Sequence, residues 1–266
     1  MRPLTPTLLV ATLFAPGALW SADNPSFRVL TDVSKIPDPA VYARTAKTLC
    51  EEWYPRINAI LYDEKHALPY PEIRIVFANV VVYATESTRE KVPAMAEGDT
   101  IWVSWDYTSS YYHPSLPGRW PHGFEAMIIH ELTHILQSYP NLPANAGWLN
   151  EGIADYVRHK YFENDLEAKL RLDARGFLKG YSSEEPFFAL QESKANLAQQ
   201  GYRQGYTVAS AFLLWLEQRK DPDIVRKLNA ALSTGGYSDR LFAERCGSSL
   251  DALWKEFFQQ NKPSAR

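Results

Sequence analysis

Cysteine is scarce in this sequence, whose 266 residues contain only Cys50 and Cys246. In an oxidising compartment the two could pair and tie the first helix to the C-terminal region. They could equally remain two separate buried thiols, and the sequence favours neither outcome. Neither cysteine stands in a metal-ligand spacing, so we do not expect thiolate ligands in a metal site.

The sequence also lacks an excess of charge of either sign. Lysine and arginine together number 28, and aspartate and glutamate 31, for a formal net charge of −3. No basic field is therefore available for nucleic acid or anionic lipid, whose binding depends on clustered positive charge. We expect no nucleic-acid partner.

Long apolar runs are rare as well. One uncharged, mostly apolar run extends from Leu8 to Trp20, after a short positive start. It is too short, and too interrupted by Pro16-Gly17, to span a bilayer comfortably. Small residues follow it, and the pattern predicts a secretory signal peptide over residues 1–22.

Cleavage is expected near Ala22, although Trp20 is a poor fit to the small residue usual at that distance from the cut. An uncleaved anchor or another cleavage site is the alternative. No second apolar stretch is long enough to cross a membrane. We expect residues 23–266 to form one exported domain, secreted or periplasmic, that is soluble, monomeric and without membrane contact after cleavage.

Hydrophobic periodicity predicts strands first and helices later. Alternation indicates strands at Phe27–Val33, Glu72–Phe77 and Thr100–Trp105, and helical patterns cover Val41–Leu61, Tyr206–Arg219, Asp221–Leu232 and Ser249–Gln260. Pro55 is expected to kink or end the first helix. Residues Asn164–Gln199 are charged and loosely periodic, which indicates a helical or irregular insert. This order predicts an α+β fold with a mixed N-terminal sheet and a helical C-terminal lobe.

One helical segment, Ile129–Gln137, carries a metal-ligand pattern. His130 and His134 stand four residues apart, so they project from one face of a helix and can share one Zn²⁺. Glu131 lies beside the metal's open position, where it can polarise a bound water. The alternative is an ordinary amphipathic helix with two polar residues toward solvent. Apolar neighbours crowd the histidines and argue against that alternative.

A second segment, Gly147–Tyr156, offers the remaining ligand. A catalytic zinc usually takes three protein ligands and leaves one position open. Glu151 presents a carboxylate from a second helix, and Asp155 could accept the free N–H of a ligating histidine. The alternative is a surface helix with a solvated carboxylate pair. No ligand spacing involves the other histidines, which are His66, His113, His122 and His159.

These motifs resemble those of the gluzincin metallopeptidases, the thermolysin-like branch of the zincins. More narrowly, the chain resembles the basic secretory protein family of plants and bacteria, a group of secreted peptidases. The matching pieces are Gly98–Ser104, His130–Gln137, Leu149–Arg158, Gln204–Ala209 and Gly247–Glu256. The chain departs from the family in its mildly acidic pI of about 6.1. Residues Asn164–Gln199 follow no family pattern that we recognise.

The resemblance implies a zincin-like fold and a secreted zinc peptidase acting on peptides or proteins, and the order of strands and helices places the metal site between two lobes. It implies that His130, His134 and Glu151 bind Zn²⁺. Glu131 would take a proton from the zinc-bound water and deliver it to the leaving amine. The non-enzymatic alternative is a zinc-containing binding or defence module with little turnover. Retention of Glu131 argues against that alternative, and a zinc hydrolase of a non-peptide bond is a further one.

The resemblance also suggests how the substrate is held. The family's Gly-Tyr pair marks Tyr206 as the hydrogen-bond donor to the oxyanion, with Tyr202 as second candidate and core packing as the alternative for both. In similar zincins an edge strand above the active-site helix pairs with an extended substrate, and Thr100–Trp105 is the candidate here. Trp102 and Trp105 would then line pockets. The alternative is an interior strand with both tryptophans in the core.

Overall fold

A computed structural model describes residues 27–36, 39–62, 65–78, 82–83, 91–115, 122–170 and 200–261. The predicted signal peptide and its cleavage site lie outside these residues, as does most of the predicted insert. None of the described helices is long and apolar enough to cross a membrane.

Four strands form a mixed sheet, as predicted. They are β1 (Arg28–Asp32), β2 (Glu72–Ala78), β5 (Ala94–Glu97) and β6 (Thr100–Ser104), and a separate antiparallel pair joins β3 (Val82–Tyr83) to β4 (Lys91–Val92). The order across the sheet is β1-β2-β6-β5. The first three strands of that order are parallel, and β5 pairs with β6 in the antiparallel direction. The sheet and the many helices confirm the predicted α+β class.

The prediction that Thr100–Trp105 is an edge strand is wrong. Strand β6 lies between β2 and β5, and it ends at Ser104 because Trp105 begins a short helix, α2 (Trp105–Tyr111). Trp102 is half-buried, and Trp105 packs edge-on against Tyr42 with ring centroids 5.4 Å apart. A turn at Gly98, with φ of +57°, connects β6 to β5, and among the described strands β5 and β1 are the two edges of the sheet.

The first helix, α1 (Ala40–Leu61), continues through Pro55 and does not end there. Its buried face recurs on both sides of the proline, with Ala46, Cys50 and Tyr54 before it and Ile57 after it. This apolar face packs against the central helix of the molecule, α3 (His122–Gln137). Burial of that face therefore outweighs the single backbone hydrogen bond that proline removes.

The described part of the C-terminal half is helical. The elements in order are α4 (Gly147–Val157), a π-helical turn (Arg158–Phe162), α5 (Leu166–Lys169), a 3₁₀ turn (Gly201–Gln204), α6 (Tyr206–Arg219), α7 (Ile224–Ser233), α8 (Arg240–Cys246) and α9 (Leu250–Asn261). Helix α6 lies against α4, and its central residues are buried on all sides.

Helix α7 begins at Ile224, two residues after the predicted Asp221-Pro222 start. The Asp221 side chain accepts a hydrogen bond from the Asp223 backbone at 3.0 Å and pairs with Lys227 at 2.8 Å. It therefore shapes the turn that precedes the helix and does not cap the helix itself. Cys50 and Cys246 are both free, so of the two alternatives the structure contains separate thiols.

Candidate metal centre

Helix α3 carries three polar side chains of one short motif in an otherwise apolar setting. Its residues Phe124, Ile128 and Leu132 are fully buried in the core. His130 and Glu131 are also buried, with 8% and 7% of their surfaces exposed. The helix therefore holds both polar residues at the floor of a cleft and not on an open surface.

The imidazoles of α3 meet a carboxylate from α4. The Nε2 atoms of His130 and His134 are 3.1 Å apart. Glu151 Oε2 lies 3.2 Å from His130 Nε2 and 3.4 Å from His134 Nε2. These three residues could hold a metal ion.

The donor set fits zinc in both chemistry and spacing. A tetrahedral zinc bonded at about 2.0–2.1 Å separates its ligand atoms from one another by about 3.3–3.4 Å. The three observed separations, from 3.1 to 3.4 Å, are close to that value. Two imidazoles and one carboxylate leave a fourth position open, as in catalytic sites.

A hydrogen bond to the far nitrogen orients each imidazole. His130 Nδ1 donates to Asp155 Oδ1 at 2.8 Å, which is the partnership that the sequence suggested. His134 Nδ1 donates to Gln137 Oε1 at 2.6 Å, and Gln137 Nε2 donates to the backbone oxygen of Asn150 at 3.0 Å. With Nδ1 protonated, the Nε2 lone pairs face the shared centre. Gln137 was missed, although its spacing of three residues from His134 on a helix could have revealed it.

Buried charges shift the protonation of this cluster in the metal-free protein. Burial by itself would lower the pKa of His130, but hydrogen bonds to Asp155 and Glu151 outweigh it and raise that pKa to about 10. Burial would raise the pKa of Glu151, but the two histidines hold it well below its usual range. The free cluster therefore contains imidazolium next to carboxylate, and a metal ion would replace the proton.

Glu131 lies beside the three-atom cluster and lines the same cleft. Burial raises the pKa of Glu131, and the positive charge of His130 and His134 opposes that rise only in part. A carboxylate with a raised pKa accepts a proton from water more readily at neutral pH.

The cleft above the centre is a cavity of about 710 Å³. One wall is the edge strand β5 with the residues before it, and much of the remainder is aromatic or apolar, including Tyr107, Tyr112, Met127 and Leu142. The charged side chains among the described lining residues are those of the three-residue cluster, Glu131 beside it, and Asp155 and Arg158 behind it.

The two candidate tyrosines differ in position. Tyr206 lines the cavity and lies nearly parallel to the His130 ring, with centroids 5.9 Å apart. Tyr202 is 1% exposed, and its hydroxyl donates to Asp251 Oδ1 at 2.7 Å. Tyr202 is therefore a core residue, which was the alternative for both tyrosines, and its hydroxyl does not face the cleft.

The expectation that none of the other histidines shares a ligand cluster is wrong for His159. The structure brings it together with Glu163 and Asp165 in a second group of possible metal-binding side chains. His113 is exposed and contacts Ser115, and the His66 ring stacks on Tyr62 at 3.9 Å. The side chain of His122 lies outside the described part of the chain.

A family model described as peptidase of plants and bacteria, abbreviated BSP, matches residues 34–189 and 186–257. The chain belongs to this family. The family predicted from sequence is thereby confirmed, while the gluzincin subtype stays a prediction. The two matched ranges together cover all of Asn164–Gln199, so the expectation that this region follows no family pattern is wrong. No curated protein matches the chain.

Proposed function

We propose that this member of the BSP family is an exported zinc metallopeptidase of the gluzincin type, with a zincin-like fold. The observation that carries the proposal is the convergence of His130, His134 and Glu151 within 3.4 Å of one another. Glu131 lies beside these three residues and can act as a general base, which a purely structural zinc site does not need. Export, with removal of residues 1–22 near Ala22, is part of the proposal.

The residues of the site have separate tasks in peptide hydrolysis. Zinc, when bound, would polarise the substrate carbonyl and make water a stronger nucleophile at neutral pH. Glu131 takes a proton from the attacking water and passes it to the amine that leaves. Tyr206, in the wall of the cleft, donates a hydrogen bond to the oxygen on which negative charge develops. Asp155 and Gln137 keep the imidazoles oriented.

The substrate is held by β5, the strand that forms both one edge of the sheet and a wall of the cleft. An edge strand has free backbone N–H and C=O groups, so an extended peptide can add to it as a further strand. Ala94, Met95 and Ala96 all line the cavity. The role that the sequence suggested for Thr100–Trp105 therefore moves to the neighbouring strand.

The decisive experiment is cleavage of a peptide library by the purified mature protein, as isolated, after chelation and after zinc is restored. We expect cleavage that chelation abolishes and zinc recovers. His134→Ala should bind little zinc and remain inactive after zinc is restored. Full zinc occupancy in that variant would remove His134 from the ligand set. A wild-type protein that binds zinc but cleaves no peptide would support the binding-module alternative.

N-terminal sequencing of the exported protein tests cleavage near Ala22.

A further inference from the structure

A buried polar network lies behind His130, on the side away from the cleft. Both oxygens of Asp155, whose side chain is 1% exposed, are engaged. Oδ1 accepts from His130 at 2.8 Å, and Oδ2 accepts from the Thr207 hydroxyl at 3.2 Å. The Nε2 atom of His159, a side chain that is 2% exposed, is 3.6 Å from Oδ2 and 3.2 Å from the Thr207 oxygen.

Counting protons in this network determines the state of His159. The Thr207 hydroxyl has one proton and donates it to Asp155, so toward His159 it must accept a proton from Nε2. On the other side of the ring, Nδ1 lies 2.5 Å from Glu163 Oε2 and 3.1 Å from Asp165 Oδ1. Carboxylates only accept, so Nδ1 is protonated as well. His159 is therefore an imidazolium between the Asp155 carboxylate and the Glu163–Asp165 pair.

The electrostatics of the pocket agree with this proton count. Burial and the neighbouring Arg158 would each lower the pKa of His159. Hydrogen bonds to Asp155, Asp165 and Glu163 outweigh both and raise that pKa to about 9.

Local backbone geometry presents His159 to Asp155. Helix α4 continues into the π-helical turn Arg158–Phe162, in which the Glu163 N–H bonds the Arg158 carbonyl at 2.8 Å, five residues back. Such turns occur as single insertions in helices, frequently at functional sites. Here His159 follows Asp155 by four residues, and the turn brings Glu163, four residues further on, against the His159 ring.

We propose that His159 is a positioning residue for the metal centre. Through the Thr207 hydroxyl it holds Asp155 in one orientation, and Asp155 in turn keeps the Nε2 lone pair of His130 directed at the metal. This inference rests on the proposed function, because it assumes that His130 binds a metal ion. It goes beyond that function by assigning roles to His159 and Thr207, which come from the π-helical turn and from α6.

The same cluster could be considered a second metal site, but two contacts oppose that assignment. The 2.5 Å separation of His159 Nδ1 and Glu163 Oε2 is a hydrogen-bond distance. It is well below the roughly 3.3 Å between two ligand atoms of one zinc. Arg158 Nε also donates to the same Glu163 oxygen at 3.0 Å, which places a cation where a metal would need a free lone pair.

The test compares zinc affinities, measured in the full mature protein by competition with a chromophoric chelator. The amide nitrogen of glutamine can reach the position of imidazole Nε2, whereas that of asparagine reaches only the position of Nδ1. His159→Gln should therefore stay within about threefold of wild type, and His159→Asn should lose about tenfold in affinity. Thr207→Val, which removes the hydroxyl at nearly constant volume, should also lose about tenfold. The exposed His113→Gln variant is the matched control and should be unchanged.

Two results would overturn the inference. A merely structural role predicts that His159→Asn and Thr207→Val lower the melting temperature of the zinc-free protein but leave its zinc affinity unchanged. A second metal site predicts two zinc ions in wild type and one in His159→Asn. If His159→Asn does not fold, the affinity of Thr207→Val decides. Wild-type protein that binds no zinc would overturn the proposed function as well, whereas zinc binding without peptide cleavage would overturn only the proposed activity.

Discussion

Gly205 lies directly against Glu151. A Cβ atom at Gly205 would be 3.3 Å from the Cβ of Glu151 and 3.6 Å from the Cα of Trp148. Gly205 adopts φ of +71° and ψ of −156°, a combination almost confined to glycine. The next residue, Tyr206, also has positive φ, at +45°. The chain entering α6 therefore passes over the carboxylate of the metal cluster and brings Tyr206 to the cleft.

Gly205→Ala should weaken both folding and metal binding. The added methyl group strains the backbone, at about 1–3 kcal/mol, and presses on Glu151. We expect a lower urea midpoint and reduced zinc affinity. Gly235→Ala is the control, because Gly235 has the same φ of +71° but a methyl group added there would meet no atom within 4 Å. Equal zinc affinities in the two variants would contradict the role assigned to the Gly205–Glu151 contact.

Glu131→Gln should separate catalysis from metal binding. The amide keeps the shape of the side chain but cannot act as a base, so kcat should fall by about 10²–10⁴-fold while one zinc per chain is retained. Metal analysis and peptide hydrolysis on the same preparation check both parts. Unchanged hydrolysis would show that Glu131 is not the base.

Tyr206→Phe and Tyr202→Phe should affect different properties. Loss of the Tyr206 hydroxyl should lower kcat by about 10²–10³-fold with little change in KM, because the bond forms only in the transition state. Loss of the Tyr202 hydroxyl breaks its bond to Asp251 and should lower the unfolding free energy by about 1 kcal/mol, with kcat unchanged. Steady-state kinetics and urea unfolding of the pair test the assignment. The opposite pattern would reverse it.

Proline at Ala96 should weaken the binding of extended peptides. The Ser104 N–H donates to the Pro93 carbonyl, so the alternation of an antiparallel ladder directs the Ala96 N–H away from β6. Ala96→Pro removes this outward donor. We expect KM to rise several-fold, which corresponds to a loss of about 1 kcal/mol in the free energy of peptide binding, with zinc content intact. Ala96→Val adds similar bulk and keeps the N–H, so it is the control. Equal KM values in both variants would place the substrate elsewhere.

The zinc-free protein should lose stability as the pH rises. His130 and His159 have folded-state pKa values of about 10 and about 9, above the usual histidine value of 6.5. The two protonated histidines make their full contribution to the free energy of unfolding below about pH 6.5. This contribution, on the order of a few kcal/mol in total, is lost as the pH rises through 9 to 10. Urea unfolding across this range measures it. His159→Gln should show a shallower decline, and a stability that rises with pH would refute the assignment.

Helix periodicity, together with the two motifs and their order, predicted the metal cluster from the sequence. Residues His130 and His134 share a face because they are one turn apart, and Glu151 and Asp155 share another for the same reason. Gln137 follows the same rule. His159 also follows it, because it is four residues after Asp155 and four before Glu163, although the sequence analysis did not use that spacing. By contrast, Thr207 reaches Asp155 through the packing of α6 on α4, which no local pattern in the sequence encodes.

The position of a strand within its sheet was not predictable from alternation. Alternating burial occurs in β6, which has neighbours on both sides, as readily as in an edge strand. The edge strand next to it, β5, has the sequence Ala-Met-Ala-Glu, which is too short and too weakly β-forming to stand out. Pairing partners come from the tertiary fold, so the substrate strand became identifiable only with the sheet order.

All three residues of the metal cluster lie between His130 and Glu151, on two successive helices. Closing so short a loop around an ion loses little chain entropy, and that loss grows only slowly with loop length. We therefore expect a partly unfolded chain that has lost its sheet to retain some zinc binding through α3 and α4. We expect zinc to raise the melting temperature by less than its native-state affinity alone would give, since an ion that also binds non-native chains stabilises the native state less.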